Sequence, residues 1–246
     1  INSTTDTVVG TINGVTVQGH MVVVGTKLYV ANTATNQVHI IDTATDTDVG
    51  QVSTGTAPDF LLVIGTKLYV TNNNSDNVSV IDTNTDILID TILVGDNPQV
   101  MAVSGTKVIV ANVTDDSVSI IDTLSDTVAT TTAVGDGPSY VATVDGKAYI
   151  TAQDSGDEIY VLDVATGLVT SQIPVGTSPN ALQTIGTKVY VSNQDGTVSV
   201  INSATDTVTA TVSVSGSPFL GTLIGTTLYL NKSSGATLIN TITDSV

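Results

Sequence analysis

Apolar and polar residues follow one another along this chain in short runs that are typical of β-strands, with turn-forming residues between the runs. In residues 58–98, an uninterrupted apolar run is followed by three segments rich in valine, isoleucine, leucine and threonine. Glycine, asparagine and aspartate cluster between the segments, where each favours a tight turn. The pattern predicts four strands, at Phe60–Ile64, Lys67–Thr71, Val78–Ile81 and Ile87–Val94.

The same pattern recurs about every 40 residues. Versions of the phrase Gly-Thr-Lys-Leu-Tyr-Val begin at Gly25, Gly65, Gly105, Asp145, Gly186 and Gly225. A repeat of this length that contains four strands is typical of a propeller blade, which buries both faces against neighbouring blades. We therefore predict an all-β protein, a single six-bladed β-propeller of four-stranded antiparallel blades over residues 1–246.

The two ends of the sequence carry the same pattern. Residues 1–8 align with residues 239–246, so the chain starts just before an outer strand and stops just after a third strand. Residues 1–13, with a strand at Thr7–Ile12, are predicted to supply the outer strand of the last blade and to close the ring, which leaves no open sheet edge. Because the first residue is Ile1 rather than Met, we expect a processed product or a piece of a longer chain.

Charge and composition narrow the class of partners. The chain has 23 acidic and 6 basic residues, which gives a formal net charge of -17 at pH 7. Such a surface repels phosphate backbones, so nucleic acid is not an expected partner. Cysteine is absent, which excludes disulfides and thiolate metal sites. No apolar run approaches the ~20 residues that span a bilayer, so membrane insertion is not expected.

One pair of motifs resembles a known family. Leu-Tyr-Val-Thr-Asn at 68–72, followed by Val-Ser-Val-Ile-Asp-Thr at 78–83, is similar to the YVTN β-propeller repeat of archaeal and bacterial surface-layer-type proteins. Variants of the two motifs extend the resemblance over nearly the whole chain. The resemblance implies a propeller fold and an extracellular or cell-envelope location, with adhesion, surface coating or partner binding as the function. Such proteins often carry seven blades, whereas six are predicted here.

Three sets of polar residues recur from blade to blade, and we expect each to serve the scaffold. The Asp or Asn after each third strand is predicted to accept backbone N–H bonds in the following turn; these residues are Asp42, Asp82, Asp122, Asp163, Asn202 and Asn240. The Asn residues that end second strands are expected to act likewise: Asn32, Asn72, Asn112 and Asn193. A ring of lysines is expected to be exposed and to serve solubility and edge protection: Lys27, Lys67, Lys107, Lys147 and Lys188.

The first residues of the innermost strands differ from blade to blade, which fits either a ligand site at the mouth of a central channel or a neutral pore lining. The candidate ligand-binding residues are His20, Asp59, Gln99, Ser139, Asn180 and Phe219. His20 holds a position that is mostly apolar in the other blades, which predicts packing between blades, with a general acid or base as the alternative. His39 replaces a third-strand serine and lies too far out for a central site.

Two further kinds of site are predicted from short motifs. The acidic loop 154–158 is the best candidate for Ca²⁺, through Asp154, Asp157 and Glu158, although a solvated acidic loop is the alternative. Asn-x-Ser/Thr sequons in or beside loops between second and third strands are candidate glycosylation sites; they begin at Asn73, Asn77, Asn112 and Asn231.

These observations favour a non-enzymatic extracellular or cell-surface protein with a structural or adhesive role. We expect no catalytic residues and no cofactor other than the candidate Ca²⁺. Other surface proteins, further copies of the chain or glycans are the expected partners, and self-assembly is an open alternative. A glycan-binding or small-ligand module, or a weak lyase or hydrolase, at the channel mouth is the rival interpretation. The close similarity of the repeats also fits an engineered or recently amplified repeat protein.

Overall fold

The computed structural model describes residues 11–12, 19–152, 156–232 and 235–246. In this part of the chain 23 strands form six antiparallel sheets, and no residue is helical. Five sheets have four strands and the last has three. Within each sheet the strands lie in chain order, because short turns join antiparallel neighbours. Among the described residues there is no helix long and apolar enough to cross a membrane.

The chain divides into two compact units, and the first comprises Ile1–Leu93 and Asn97–Gln99. It holds the first two sheets, which we number 1 and 2 in chain order. Sheet 1 consists of β1 (Met21–Val24), β2 (Lys27–Asn32), β3 (Gln37–Asp42) and β4 (Thr47–Ser53). Sheet 2 consists of β5 (Pro58–Ile64), β6 (Lys67–Asn72), β7 (Asn77–Asp82) and β8 (Ile87–Leu93).

The second unit comprises Val94–Asp96 and Val100–Val246 and contains sheets 4 to 6 and nearly all of sheet 3. Sheet 3 consists of β9 (Pro98–Ser104), β10 (Lys107–Asn112), β11 (Ser117–Asp122) and β12 (Thr127–Ala133). Sheet 4 consists of β13 (Pro138–Val144), β14 (Lys147–Ala152), β15 (Glu158–Asp163) and β16 (Leu168–Pro174). Sheet 5 consists of β17 (Pro179–Ile185), β18 (Lys188–Asn193), β19 (Thr197–Asn202) and β20 (Thr207–Ser213). Sheet 6 consists of β21 (Phe219–Ile224), β22 (Thr227–Lys232) and β23 (Gly235–Asn240).

The four strands predicted in residues 58–98 are confirmed, with ends that differ by at most two residues. The all-β class and the division into six repeated antiparallel sheets are confirmed as well. The predicted fourth strand of the last sheet falls on residues 1–13, of which only 11 and 12 are among the described residues. Ring closure by this segment therefore stays a prediction.

The hydrophobic core lies between facing sheets within each unit. Second and third strands of sheets 1 to 5 are mostly buried on both faces, as in β6, where every residue after Lys67 is buried, whereas β22 and β23 of sheet 6 are more exposed. In the first unit Ala31 and Ile40 of sheet 1 pack in one cluster with Leu61 and Val70 of sheet 2. The second unit contains similar clusters between successive sheets. Each fully buried Leu, Ile or Val side chain contributes about 1.5–3 kcal/mol, so this packing is the main stabilising term.

A repeated contact of three side chains, which we call a clasp, also joins neighbouring sheets. Lys and Tyr stand two positions apart on a second strand and point to the same side, because side chains alternate along a strand. In the first unit Tyr29 Oη donates to Asp86 Oδ1 and Lys27 Nζ donates to Asp86 Oδ2, both at 2.6 Å. The second unit repeats the clasp at 2.5–2.7 Å in two sets, Lys147–Tyr149–Asp206 and Lys188–Tyr190–Asp244.

The clasps change the interpretation of the lysines. Lys27, Lys147 and Lys188 are half-buried and salt-bridged to an aspartate of the next sheet, so the prediction of a simple exposed, solubilising ring is wrong for these three. Burial, followed by the bond to the aspartate, raises the pKa of the clasp tyrosines well above the usual tyrosine range. The phenols are therefore neutral donors to a charged acceptor, a class of bond worth about 1.5–3 kcal/mol.

The turns after the third strands are closed as predicted. Asp42 Oδ1 accepts a bond from Ala44 N, and Asp82 Oδ1 accepts one from Asn84 N, each at 2.7 Å. Equivalent bonds from a backbone N–H two or three residues later reach Asp122, Asp163, Asn202 and Asn240. These side chains hold the turn that leads to each outer strand, which is a structural role.

The Asn residues at the ends of second strands differ from the prediction. Asn72, Asn112 and Asn193 are fully buried, and each Nδ2 donates to a third-strand serine hydroxyl at 2.9 or 3.0 Å. Their Oδ1 atoms have no hydrogen-bond partner among the described residues. The predicted capping of the following turn by Oδ1 is therefore wrong for these three and holds for Asn32, whose Oδ1 accepts a bond from Thr35 N at 3.3 Å.

Candidate functional site

The candidate site is built where the innermost strands begin. A proline opens β5, β13 and β17, and the pairing with the second strand shifts register just after it. In this irregularity Phe60 N and Tyr140 N each donate to a second-strand threonine hydroxyl, Thr71 Oγ1 and Thr151 Oγ1, at 3.0 Å. A bulge changes the direction of the side chains next to it. The residues at the start of these strands therefore depart from the regular alternation of side chains between the two faces of the sheet.

In the first unit the structure brings His20 and Asp59 together. His20 N donates to Asp59 O at 2.7 Å, and Asn73 Nδ2 donates to Asp59 Oδ2 at 3.3 Å. The third predicted residue of this unit, Gln99, accepts a bond at its backbone oxygen from Thr71 Oγ1 at 2.9 Å. These contacts use mostly backbone atoms, so the side chains of His20 and Gln99 take no part in them.

The His20 ring stacks on Phe60 with centroids 4.5 Å apart and an interplanar angle of 7°. Its Nδ1 lies 3.1 Å from Leu61 O, and because a carbonyl only accepts, Nδ1 carries the proton in this bond. The predicted contact with the neighbouring sheet is present, but His20 is exposed rather than packed in a core. Sequence reasoning did not include Phe60 among the site residues, although an aromatic residue at this position was the available signal.

In the second unit Ser139, Asn180 and Phe219 occupy equivalent positions. Asn180 bridges two sheets, because its Nδ2 donates to Pro218 O at 3.1 Å and its Oδ1 accepts from Ser192 Oγ at 2.6 Å. Ser139 Oγ lies 3.1 Å from Thr151 Oγ1. The hydroxyl and amide groups of Ser139 and Asn180 therefore already have partners within the scaffold.

Phe219 meets Tyr140 edge to face, with ring centroids 5.7 Å apart and an interplanar angle of 72°. Phe219 is 40% exposed, whereas burial of Tyr140 raises the pKa of its phenol. Tyr140 aligns with His20, and sequence reasoning named only His20 at this position as a site residue. The two rings form an apolar surface next to the hydrogen bonds of Asn180.

The acidic loop residues also have scaffold partners. Asp157 Oδ1 accepts a bond from Ser178 N at 3.0 Å, as Asp76 and Asp116 do from Asn97 N and Gly137 N at the same distance. The described residues contain no group of three or more His, Cys, Asp or Glu side chains that could hold a metal ion. Asp154 lies outside the described residues, so Ca²⁺ binding through Asp154, Asp157 and Glu158 stays a prediction.

Two of the four candidate glycosylation sites are incompatible with the folded chain. Asn112 is 0% exposed, and its Nδ2 donates to Ser117 and Ser119 hydroxyls at 3.0 Å, so a glycan there would break the buried network. Asn77 is 8% exposed and its Nδ2 donates to Ser75 O at 2.7 Å. Asn231 is exposed and Asn73 is half-buried, so glycosylation of these two stays a prediction.

No family model matches the chain, and no curated protein matches it. Among solved structures, a chain of Kuenenia stuttgartiensis hydrazine synthase is similar, with a TM-score of 0.70 and 22% identity over 88% of this chain and 74% of that chain. At this identity the similarity concerns the fold alone, and together with the repeated four-stranded sheets it identifies a β-propeller-like repeat protein.

Proposed function

We propose that this protein is a non-enzymatic structural or adhesive module of the cell surface that associates through its outer strands. The observation that carries the proposal is the composition of β8, the outer strand of sheet 2. Ile87, Ile89 and Leu93 are 58%, 48% and 75% exposed there. Exposed apolar side chains concentrated on one strand are typical of a contact surface.

The outer strand β20 of sheet 5 has a different composition. Where β8 exposes Ile87, Ile89 and Leu93, β20 exposes Thr207, Thr209 and Ser213. The outer strands also have a register shift against the third strand, as between Val80 and Ile81 in sheet 2, and such bulges discourage indiscriminate strand pairing. Association through the side chains of β8, rather than through its backbone, is therefore the form that we propose.

Several further observations support a role without catalysis. The recurring Lys, Tyr and Asp side chains are used in clasps, and the loop aspartates hold backbone amides. The resemblance to YVTN repeats supports an extracellular or cell-envelope location. Other surface proteins, glycans or further copies of the chain are the proposed partners.

We also propose that residues 1–13 complete sheet 6 and close a six-bladed ring. Asn240 pairs with Ser245 in an isolated bridge, which is how a fourth strand begins beside β23. The segment Thr7–Ile12 shares with the outer strand β4 a threonine at the first position, Val-Gly at the third and fourth positions and a β-branched residue at the sixth. An N-terminal truncation that removes residues 1–12 would then lower the melting temperature markedly.

The test of the association proposal is the solution mass of the full chain across concentration, measured by light scattering after size exclusion. We expect growth beyond 25.1 kDa that is lost in Ile87→Thr/Ile89→Thr/Leu93→Ser, which copies the β20 pattern. The matched control is Leu168→Thr on the outer strand β16, a side chain that is 64% exposed, and this change should leave the mass unchanged. A wild-type chain that stays monomeric at every concentration overturns the proposal.

Ligand binding at the entry residues is a second candidate, favoured by the exposed Phe219 ring beside Tyr140. Aromatic faces of this kind bind sugar rings or flat apolar molecules. Titration of soluble oligosaccharides, followed by tyrosine fluorescence, should give a response that Phe219→Ala removes and Phe60→Ala retains. No saturable response in the wild type rejects this candidate.

A further inference from the structure

Sheet 1 contains a buried imidazole that the other sheets lack. His39 on β3 is 5% exposed, and the equivalent positions hold Ser79, Ser119, Tyr160, Ser199 and Thr237. Asp48 on β4 contacts it, with His39 Nδ1 2.7 Å from Asp48 Oδ2. The positions equivalent to Asp48 are apolar in the four other sheets with a described fourth strand: Leu88, Val128, Val169 and Val208. Both departures from the repeat therefore meet in one contact.

The surrounding bonds determine which ring nitrogen carries the proton. Thr35 N is a backbone donor and lies 3.3 Å from Asn32 Oδ1, so the amide nitrogen of Asn32 faces the ring. Asn32 Nδ2 lies 3.2 Å from His39 Nε2, which must accept because an amide nitrogen donates. The proton is consequently on Nδ1, where it is donated to Asp48.

We propose that protonation of His39 switches the conformation of the loop at 33–36. A proton on Nε2 places two donors, Nε2–H and Asn32 Nδ2–H, against each other. The amide of Asn32 then has to rotate by half a turn so that Oδ1 accepts from the ring. This rotation removes one of the two acceptors of Thr35 N, which also donates to Asn32 O at 3.3 Å, and presents a donor in its place.

The loop is connected to the start of sheet 2, so the change does not stay local. Asn36 Oδ1 accepts a bond from Ala57 N at 2.9 Å, and Asn36 O accepts one from Thr54 N at 3.1 Å. Thr33 Oγ1 donates to Pro58 O at 3.0 Å, directly before the entry residue Asp59. A change at 33–36 therefore reaches the entry of β5 in the first unit.

The charge balance of the contact makes the protonated state accessible. Asp48 is the charged side chain that the described residues place against the ring, and its second oxygen accepts from Gly50 N at 3.2 Å. An imidazolium there gains an ion pair in exchange for the bond to Asn32. Acidification, which protonates an imidazole, is the trigger. The switch goes beyond the structural role proposed above and does not depend on it.

The experiment is a pH titration of the isotope-labelled full chain by NMR, following the His39 ring and the amides of Thr35, Asn36 and Ala57. The chain has two histidines, so the ring signals are readily assigned. We expect the Thr35 amide to shift with the midpoint of the His39 ring and its hydrogen exchange to accelerate roughly fivefold or more on protonation.

Two variants copy the residues of the other sheets and serve as matched controls. His39→Ser should fold normally and abolish the titration of Thr35. Asp48→Val should retain the titration but shift its midpoint to lower pH, since the counter-charge is gone. His20 serves as an internal reference whose titration should leave Thr35 unaffected.

Three results would overturn the proposal. The His39 ring stays unprotonated down to pH 5, or it protonates while Thr35 does not respond, or Thr35 responds equally in His39→Ser. Thr35 following the midpoint of His20 instead of His39 would also count against it.

Discussion

Two neighbouring pairs of sheets in the second unit are held together by different means. Between sheets 4 and 5, Tyr149 Oη and Lys147 Nζ both donate to Asp206, at 2.6 and 2.7 Å. Between sheets 3 and 4 the tyrosine position holds Ile109, and Lys107 pairs instead with Asp122 of its own sheet at 2.7 Å. The interface between sheets 4 and 5 therefore has a clasp, and the interface between sheets 3 and 4 lacks it.

At the interface between sheets 3 and 4, the residue at the acceptor position has changed together with the residue at the tyrosine position. Gly167 stands where sheet 5 has Asp206, and both residues have a positive φ, 71° and 52°. A Cβ on Gly167 would clash with Thr130 Cγ2, and Gly167 O accepts a bond from Thr132 Oγ1. The clasp therefore behaves as one unit. Where the aspartate is replaced, the tyrosine is replaced too, and the outer strand of sheet 3 lies close to the turn at Gly167 instead.

Removal of the shared acceptor should have the largest effect on this contrast. Asp206→Ala leaves the buried phenol of Tyr149 and the ammonium of Lys147 without their carboxylate, and we expect a loss of about 2–3 kcal/mol in the free energy of unfolding. Urea unfolding followed by circular dichroism measures it. Asp206→Asn retains one acceptor and is the control, with a smaller loss expected; equal stability of Asp206→Ala and wild type would contradict the clasp.

Introduction of a tyrosine into the interface between sheets 3 and 4, without its aspartate, should also destabilise the protein. In Ile109→Tyr the new hydroxyl enters a fully buried site that has no carboxylate opposite it, and an unpaired buried hydroxyl costs about 1–3 kcal/mol. Ile109→Phe in the same site differs from Ile109→Tyr only by the hydroxyl, so urea unfolding of the two variants separates the unpaired hydroxyl from the change in packing. Equal stability of Ile109→Tyr and Ile109→Phe would mean that the interface between sheets 3 and 4 holds an alternative acceptor.

The clasps should make the protein sensitive to alkali. The folded-state pKa of Tyr29, Tyr149 and Tyr190 is raised, chiefly by burial, so the stabilisation is complete below the pKa of an unfolded tyrosine, about 10, and is lost as pH rises above it. Melting temperatures measured from pH 8 upwards, together with phenolate absorbance, should show this decrease. Tyr149→Phe should reduce the slope, because it removes one of the three phenols with a raised pKa.

The smallest effect is expected at the salt bridge within sheet 3. Lys107 is about as exposed as Lys147, but its bond to Asp122 stays within one sheet, whereas Lys147 Nζ also donates to Ser203 O of the next sheet at 2.9 Å. The loss of a half-exposed ion pair within one sheet costs little because solvent screens it. The lysine lowers the pKa of the Asp122 carboxyl, so the bond is weakened only in acid. Lys107→Ala should leave the melting temperature at neutral pH unchanged within error, while Lys147→Ala lowers it. An equal decrease in melting temperature in both variants would contradict the difference between the two interfaces.

Local features of the fold were predictable from the sequence, and long-range contacts were not. The bounds of β5 to β8 and the turns after Asp42 and Asp82 follow from strand alternation and from short side chains that bond to a backbone N–H two residues on. The predicted exposure of Lys27 and the predicted turn-capping role of Asn72 were wrong. Both residues recur at equivalent positions in the repeats, as Asp82 does, although their surroundings differ from those of Asp82. Recurrence identifies a scaffold residue, but it does not indicate whether the residue is exposed or buried.

The candidate site was predictable in position and less so in content. Asp59, Ser139, Asn180 and Phe219 lie at equivalent strand starts, as the repeat indicates. Their partners, including the ring of Tyr140 against Phe219, belong to other sheets and have no local signal.

The strands, the turns and the length of the repeat could be read from the sequence, because they depend on residues close together in the chain. Side-chain alternation, the stiffness of β-branched residues and turn residues in the αL conformation all act over about two to five positions. Only the tertiary structure decided which side chains are buried and which partners they have. Tyr29 and Asp86 are 57 residues apart in the chain yet 2.6 Å apart in space, and nothing in either local sequence distinguishes that contact from solvent. Desolvation, which makes the bond between them stabilising, exists only once the sheets have packed.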